Sequence, residues 1–215
     1  REVEKVRVCR EAVGPDFDFI LEVHRGMTLP EAVAFGRAVE PYRPMILEDP
    51  VPPDNVDTMA EVASKIGVPI ATGERAIDLR ECEVLMARHV CQYIRPDVCA
   101  VGGITTSKKI AALAEAHDVL VIPHNPLGPV STAACLQICA SIPTLGIQEL
   151  PGFCLNGAED KMVKEPLRYE NGCMLIPDAP GIGVELADDA EELYPARERG
   201  SNAARRAFDG AVKDW

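Results

Sequence analysis

The chain has 215 residues, of which 34 are acidic and 22 are basic, giving a formal net charge of −12. This balance argues against nucleic acid and anionic membrane surfaces as partners, because both require a basic face. The hydrophobic share is 47%, and no apolar run approaches the roughly 20 residues of a membrane span. The eight cysteines include no Cys-x-x-Cys pair, so we expect reduced thiols in an intracellular, cytoplasmic protein.

Short apolar runs of strand length alternate with segments of helical period. The runs do not alternate polar and apolar residues, so both faces of each strand should be covered, as in a parallel sheet. The expected strands are 17–23, 44–48, 68–73, 92–96, 118–123 and 145–150. Six helix–strand units in succession predict right-handed crossovers and an α/β fold.

Helix signals precede or separate these runs. Residues 1–14 have helical spacing of apolar residues and end at a glycine. Thr28-x-x-Glu31 and Asp78-x-x-Glu81 have the spacing of capping boxes, and Asp54 is expected to cap the helix that follows it.

Past residue 150 the regular alternation stops. Asn171-Gly172 predicts a hairpin turn, and 188–199 is interpreted as a short acidic helix.

An ionisable residue stands at or next to the C-terminal end of every predicted strand. The intervals between successive members are 23 to 27 residues, and the set is Glu22, Glu48, Glu74, Asp97, His124 and Glu149. In a parallel barrel all strand C-termini open onto one face, where barrel active sites lie. An open doubly wound sheet sets its strand ends along a line instead. The periodicity therefore favours a TIM-like barrel with these side chains around one pocket.

Three successive strand ends carry carboxylates: Glu22, Glu48 and Glu74. They form an all-oxygen donor set suited to a hard cation such as Mg²⁺. A metal there could hold a substrate carboxylate and stabilise the enediolate that forms when the α-proton leaves.

Asp97 and His124 occupy the next two strand ends. A carboxylate beside an imidazole fixes its tautomer and raises its basicity, as a general base requires. His24 lies two residues after Glu22 and should share its strand face, which makes it a second acid–base candidate. Glu149 could contact the carboxylate end of a substrate. For any single one of these residues, a solvated loop acid, a helix cap or a structural histidine is the alternative interpretation.

The segments ILEVHRG, LEDPVPPDN, PIATGER, YIRPDVCAVGGIT, VIPHNPLGPVS and IQE resemble the barrel of the enolase superfamily. The resemblance is to its mandelate racemase/muconate lactonizing enzyme-like branch, and within it to sugar-acid dehydratases of galactonate dehydratase type. It spans residues 2–186 and implies a (β/α)₇β barrel. It also implies that only the last six strands lie in this chain, without the N-terminal capping domain and the first two strands. We therefore expect 1–186 to be the C-terminal part of the barrel and 187–215 a tail segment with a short helix.

The same resemblance implies a magnesium site on Glu22, Glu48 and Glu74. The first of these positions is usually Asp in the superfamily, so the longer arm of Glu22 is a departure from its pattern.

For the other site residues, the resemblance implies that a His124–Asp97 dyad removes the α-proton of a sugar acid. His24 would protonate the departing 3-hydroxyl, and Glu149 would be the polar group of the eighth strand. The predicted function is Mg²⁺-dependent dehydration of an aldonic acid such as galactonate or gluconate to a 2-keto-3-deoxy acid. The alternatives are a racemase or epimerase of a 2-hydroxy acid, or a degenerate barrel with a structural or assembly role. We further expect a homo-oligomer.

Overall fold

The structure, a computed structural model, describes residues 1–151, 160–196, 205–206 and 212–213. Five parallel strands form one sheet in which neighbours along the chain are also neighbours in space. The strands are β1 (Ile20–Glu22), β2 (Ile46–Glu48), β3 (Ile70–Thr72), β4 (Tyr93–Ile94) and β5 (Leu120–Val121). A doubly wound sheet reverses its strand order at a switch point, whereas a barrel wall keeps chain order. The prediction of an α/β fold of barrel type is confirmed.

The helices connect the strands, with α2 to α5 each lying between two consecutive strands of the sheet. They are α1 (Glu2–Val13), α2 (Leu29–Val39), α3 (Val56–Lys65), α4 (Leu79–Ala87), α5 (Gly103–Ala116), α6 (Pro129–Cys139) and α7 (Ala190–Leu193). Short 3-10 turns cover Glu40–Tyr42 and Asp160–Met162. Among the described helices, none is both long and apolar enough to span a membrane.

Two predicted helix starts are confirmed by their hydrogen bonds. The Thr28 N–H donates to Glu31 Oε2 at 2.8 Å, which is one arm of a capping box at the start of α2. Asp78 Oδ1 accepts from the N–H groups of Arg80 and Glu81 at 2.8 and 2.9 Å, which satisfies donors in the first turn of α4.

The predicted cap at Asp54 is wrong, because Asn55 caps α3. Asn55 has an extended backbone and lies directly before the first helical residue, so its Oδ1 reaches the Asp57 N–H at 3.0 Å. Asp54 lies one residue earlier, outside the capping position.

The covered faces of the strands explain why their sequences are continuously apolar. Ile46 and Leu47 are both fully buried although they point to opposite sides of β2. Leu47 packs with Val39 beneath the helix layer, whereas Ile46 packs with Ala71 and other residues of the barrel interior. Alternation then places the next residue of β2, the buried Glu48, on the interior side.

The sixth predicted strand is reduced to a single bridge. Leu145 pairs with Val121, through a bond from the Val121 N–H to Thr144 O at 2.8 Å and one from the Gly146 N–H to Val121 O at 2.9 Å. Past Gly146, the described residues of this segment form no further backbone ladder.

Beyond the sheet, the predicted hairpin is confirmed. Strands β6 (Tyr169–Glu170) and β7 (Cys173–Met174) pair antiparallel, and both turn residues have positive φ, as a two-residue hairpin turn requires. Of the acidic helix predicted at 188–199, the structure has a single turn, α7, which ends at Leu193, and positions 197–199 of the prediction lie outside the described residues. A further pair of two-residue strands, β8 and β9, lies at 205–206 and 212–213.

The described cysteines are free thiols, as predicted. Seven of the eight are described, and the buried ones are Cys82, Cys91, Cys135 and Cys139. Cys154 lies outside the described residues.

Candidate active site

The strand C-termini open onto one pocket of about 480 Å³, here called the strand-end pocket. Six of the seven residues singled out from the sequence line it: Glu22, His24, Glu48, Glu74, His124 and Glu149. The seventh, Asp97, contacts His124 from behind. The structure therefore brings together all of the residues selected from the sequence.

The three glutamates at the ends of β1, β2 and β3 form the acid triad. One carboxylate oxygen of each lies within 4.8 Å of the others. Glu22 and Glu48 are direct partners in the β1–β2 register, and Glu74 follows Gly73 just after β3. Gly73 has a φ of +124°, and a Cβ there would lie 2.8 Å from Ile94 Cδ1, so only glycine permits this exit from β3.

Burial and charge make the acid triad unfavourable as three bare carboxylates. The Glu48 side chain is only 6% exposed, and burial raises its pKa to about 8, with Arg95 opposing the effect and Glu22 adding to it. Its buried Oε1 lies 2.6 Å from Arg95 Nε without the alignment of a hydrogen bond. Three converging oxygen donors with an unsatisfied buried oxygen fit a hard divalent cation such as Mg²⁺.

His124 lies between two carboxylates. Its Nδ1 is 2.9 Å from Asp97 Oδ2, and its Nε2 is 3.1 Å from Glu74 Oε2. Burial lowers the pKa of His124, but hydrogen bonds to Asp97 and Glu74 outweigh it and raise the pKa to about 9. Asp97 stays ionised because burial, which raises its pKa, is outweighed by the bonds from His124 and from the Cys99 N–H, and the net pKa is lowered. The pair has the geometry of an oriented acid–base group.

His24 reaches the strand-end pocket by a different route from the predicted one. Strand β1 ends at Glu22, and His24 lies in the following turn with a φ of +55°, so strand alternation does not place it. Its Nε2 is 2.7 Å from Arg25 Nη2. Because a guanidinium only donates hydrogen bonds, His24 Nε2 must be the acceptor in this contact.

Two buried arginines belong to the site although sequence reasoning did not select them. Arg25 contacts Glu74, and its Nη1 lies 2.8 Å from Asp49 Oδ2. The Thr72 hydroxyl donates to the other Asp49 oxygen at 2.6 Å. This chain of contacts fixes Glu74 from the side away from His124.

Arg95 is the second arginine. Its Nε pairs with Glu48 and its Nη2 donates to Glu149 Oε2 at 2.6 Å. Strand alternation was the available signal, because Arg95 lies two residues before Asp97 and thus on the same side of its strand.

A model of one protein family, described as enolase C-terminal domain-like, matches residues 1–190. The chain belongs to this enolase family. The fold of the family is a TIM-like barrel, so the sheet and helices described above are part of such a barrel, and the resemblance seen in the sequence is confirmed.

Named relatives and solved structures agree with this assignment. The chain is 36% identical over 220 residues to D-galactonate dehydratase of Variovorax paradoxus (strain S110), covering 99% of the chain and 57% of that relative. It is 34% identical to D-gluconate dehydratase of Thermoproteus tenax, covering 91% of the chain and 39% of the relative. A solved mandelate racemase/muconate lactonizing enzyme-like protein from Roseovarius sp. TM1035 matches with a TM-score of 0.85 and 33% identity, covering 100% of this chain and 53% of that one. The chain thus spans about half the length of the relatives it matches.

Proposed function

We propose that the protein is a Mg²⁺-dependent sugar-acid dehydratase that converts an aldonic acid into a 2-keto-3-deoxy acid and water. The observation that carries the proposal is the convergence of the acid triad and the His124–Asp97 pair on one pocket. D-galactonate and D-gluconate dehydratases among the relatives support this substrate class.

In this proposal Glu22, Glu48 and Glu74 would hold the Mg²⁺ ion. When bound, Mg²⁺ would draw negative charge from the substrate carboxylate and so stabilise the enediolate that forms when the α-proton leaves. The donor set fits this role because it consists only of oxygens, two of them on largely buried side chains.

His124 removes the α-proton. Its Nδ1 hydrogen is directed to Asp97, so Nε2 is the atom that takes the proton once the ring is in its neutral form. The imidazolium that results is stabilised by Asp97 at one nitrogen and by Glu74 at the other.

His24 supplies a proton to the departing 3-hydroxyl. For this step His24 must be an imidazolium, which gives up one proton and becomes a neutral imidazole. In the neutral form Nε2 accepts from Arg25, as in this structure. The electrons of the broken C2–H bond form a C2–C3 double bond as the C3–O bond breaks. Water leaves, and the enol product becomes the 2-keto-3-deoxy acid.

The test is a screen of aldonic and aldaric acids against the protein expressed from its complete reading frame, with Mg²⁺. We expect a 2-keto-3-deoxy product from at least one aldonic acid, detected by a colorimetric assay for 2-keto-3-deoxy acids. Recovery of a C2 epimer without a keto product would instead favour the racemase or epimerase alternative. No α-proton exchange with any acid would contradict both enzymatic functions.

His24→Asn should separate the two proton transfers. We expect exchange of the α-proton with solvent deuterium to stay within about threefold of wild type, while dehydration falls by about 10²-fold or more, because only the leaving-group acid is lost. Exchange is followed by NMR in D₂O and dehydration by the keto product. If both steps vanish together, His24 does not act on the leaving group alone.

A further inference from the structure

Arg95 is a cation buried among the carboxylates of the strand-end pocket. It follows β4 directly, and its backbone N–H donates to Thr72 O at 2.9 Å, which continues the ladder between β3 and β4. Its side chain is 5% exposed. Because an unpaired guanidinium at such a depth is strongly unfavourable, the residue requires acceptors inside the pocket.

Two carboxylates lie against Arg95: one accepts a hydrogen bond from it, and the other is within ion-pair distance. Glu48 stands at the end of β2, and its Oε1 is 2.6 Å from Arg95 Nε. Glu149 belongs to the segment after the β5 bridge, and its Oε2 accepts from Arg95 Nη2 at 2.6 Å. Since both nitrogens belong to one planar guanidinium, a single side chain contacts both carboxylates at once.

Hydrogen bonds that involve at least one side chain, rather than a strand ladder, hold Glu149 in place. Backbone pairing of its segment ends at Gly146, three residues earlier. Apart from Arg95, the described contacts to Glu149 come from Asn125, whose N–H donates to Oε2 at 2.7 Å and whose Nδ2 donates to Glu149 O at 3.2 Å, and from Gln148, whose Nε2 donates to the same carbonyl. Among these contacts, only the ones from Arg95 and the Asn125 N–H fix the carboxylate itself.

We propose that Arg95 is a positioning residue that ties the Glu149 carboxylate to Glu48 and holds it inside the strand-end pocket. The Arg95–Glu149 hydrogen bond connects the end of β4 with the segment after Gly146, at a place where the described residues of that segment have no backbone hydrogen bonds of a strand ladder. It also keeps a fourth carboxylate beside the acid triad, a place from which mutual repulsion would otherwise expel it.

The contacts of Arg95 with Glu48 and Glu149 should also affect substrate binding, an inference that rests on the proposed function. Among the described residues that line the pocket, Arg95 is the one permanent cation. A sugar-acid anion entering beside four carboxylates needs Glu149 to accept hydrogen bonds from its hydroxyls in one fixed direction. Loss of Arg95 should therefore weaken substrate binding through Glu149.

The position of Glu149 is testable without substrate, by hydrogen–deuterium exchange of the backbone amide of Asn125. This amide is fully buried and is bonded to Glu149 Oε2, so its exchange reports on the carboxylate. In the whole protein, Arg95→Gln should speed this exchange about tenfold or more. Arg95→Lys places an ammonium where the guanidinium carbon stood, keeps the charge near both carboxylates, and should show a smaller increase.

The matched control is Arg88→Met, which removes an exposed arginine paired with Asp57 on the surface and should leave the Asn125 amide unchanged. Unchanged exchange of the Asn125 amide in both Arg95 variants would overturn the proposal, whatever the activity of the protein. The lysine variant retains a positive charge beside Glu48. If Arg95→Gln fails to fold, the exchange rate of the Asn125 backbone amide in Arg95→Lys tests the proposal alone, and an unchanged rate there would overturn it.

A double-mutant cycle tests the consequence for catalysis. Arg95→Lys should raise KM for the sugar acid about tenfold in the wild-type background and less than about twofold in a Glu149→Gln background, because its target is then already altered. Equal increases in the two backgrounds would show that Arg95 does not act through Glu149. If wild-type protein shows no dehydration at all, the proposed function fails while the exchange experiment still stands.

Discussion

Replacing His124 with Asn should abolish exchange of the substrate α-proton with solvent deuterium. Dehydration should fall by about 10²–10⁴-fold, the usual contribution of a positioned general base. Asparagine can keep a hydrogen bond to Asp97 from the position of Nδ1, but it has no basic nitrogen to take a proton. The folded structure should therefore survive while the chemistry stops.

The measurement is NMR of the α-proton in D₂O together with the rate of keto product formation. His89→Asn is the matched control, because His89 is exposed and has a φ of +51°, a conformation that asparagine tolerates well. That variant should keep both rates. Continued α-proton exchange in His124→Asn would remove His124 as the base and leave another pocket residue to be found.

Replacing Glu48 with Gln should weaken Mg²⁺ binding by about 100-fold or more, since loss of an outer contact to a metal ligand alone costs 10–100-fold. Glu48 is the middle and most buried member of the acid triad, and glutamine keeps its shape while removing the negative charge. Affinity is measured by calorimetry without substrate, so the result does not depend on any assay of turnover.

Glu61→Gln serves as the control for this metal titration. Glu61 is half-exposed on α3, pairs with Lys65 and does not line the strand-end pocket, so its replacement should leave the affinity for Mg²⁺ unchanged. An unchanged titration in Glu48→Gln would show that the acid triad is not the metal site.

Much of the fold could be predicted because its signals are local. The apolar residues of β2 are buried on both faces, and this two-sided burial is visible as an unbroken apolar run in the sequence. The register that aligns Glu22 with Glu48 follows from the equal length of successive helix–strand units. Because the strands are parallel and keep chain order, this regular interval brings the strand-end residues together at one end of the sheet.

Other features depend on contacts between distant parts of the chain, and here prediction was incomplete. The six-strand expectation was too regular, because the last segment pairs only at Leu145. His24 enters the pocket through a left-handed turn and not along a strand, a conformation that the sequence does not announce for histidine.

The amino-acid sequence alone determined the α/β barrel class and the set of ionisable residues at the strand ends, because periodicity and spacing encode both. The family followed from the resemblance of its motif segments to the enolase superfamily. Only the tertiary structure decided how the carboxylates are compensated. Arg25 meets Glu74 across 49 residues and Arg95 meets Glu149 across 54, and neither pairing leaves a local pattern. The physical reason is that a buried charge must find an opposite charge in space, and its position along the chain does not specify which one.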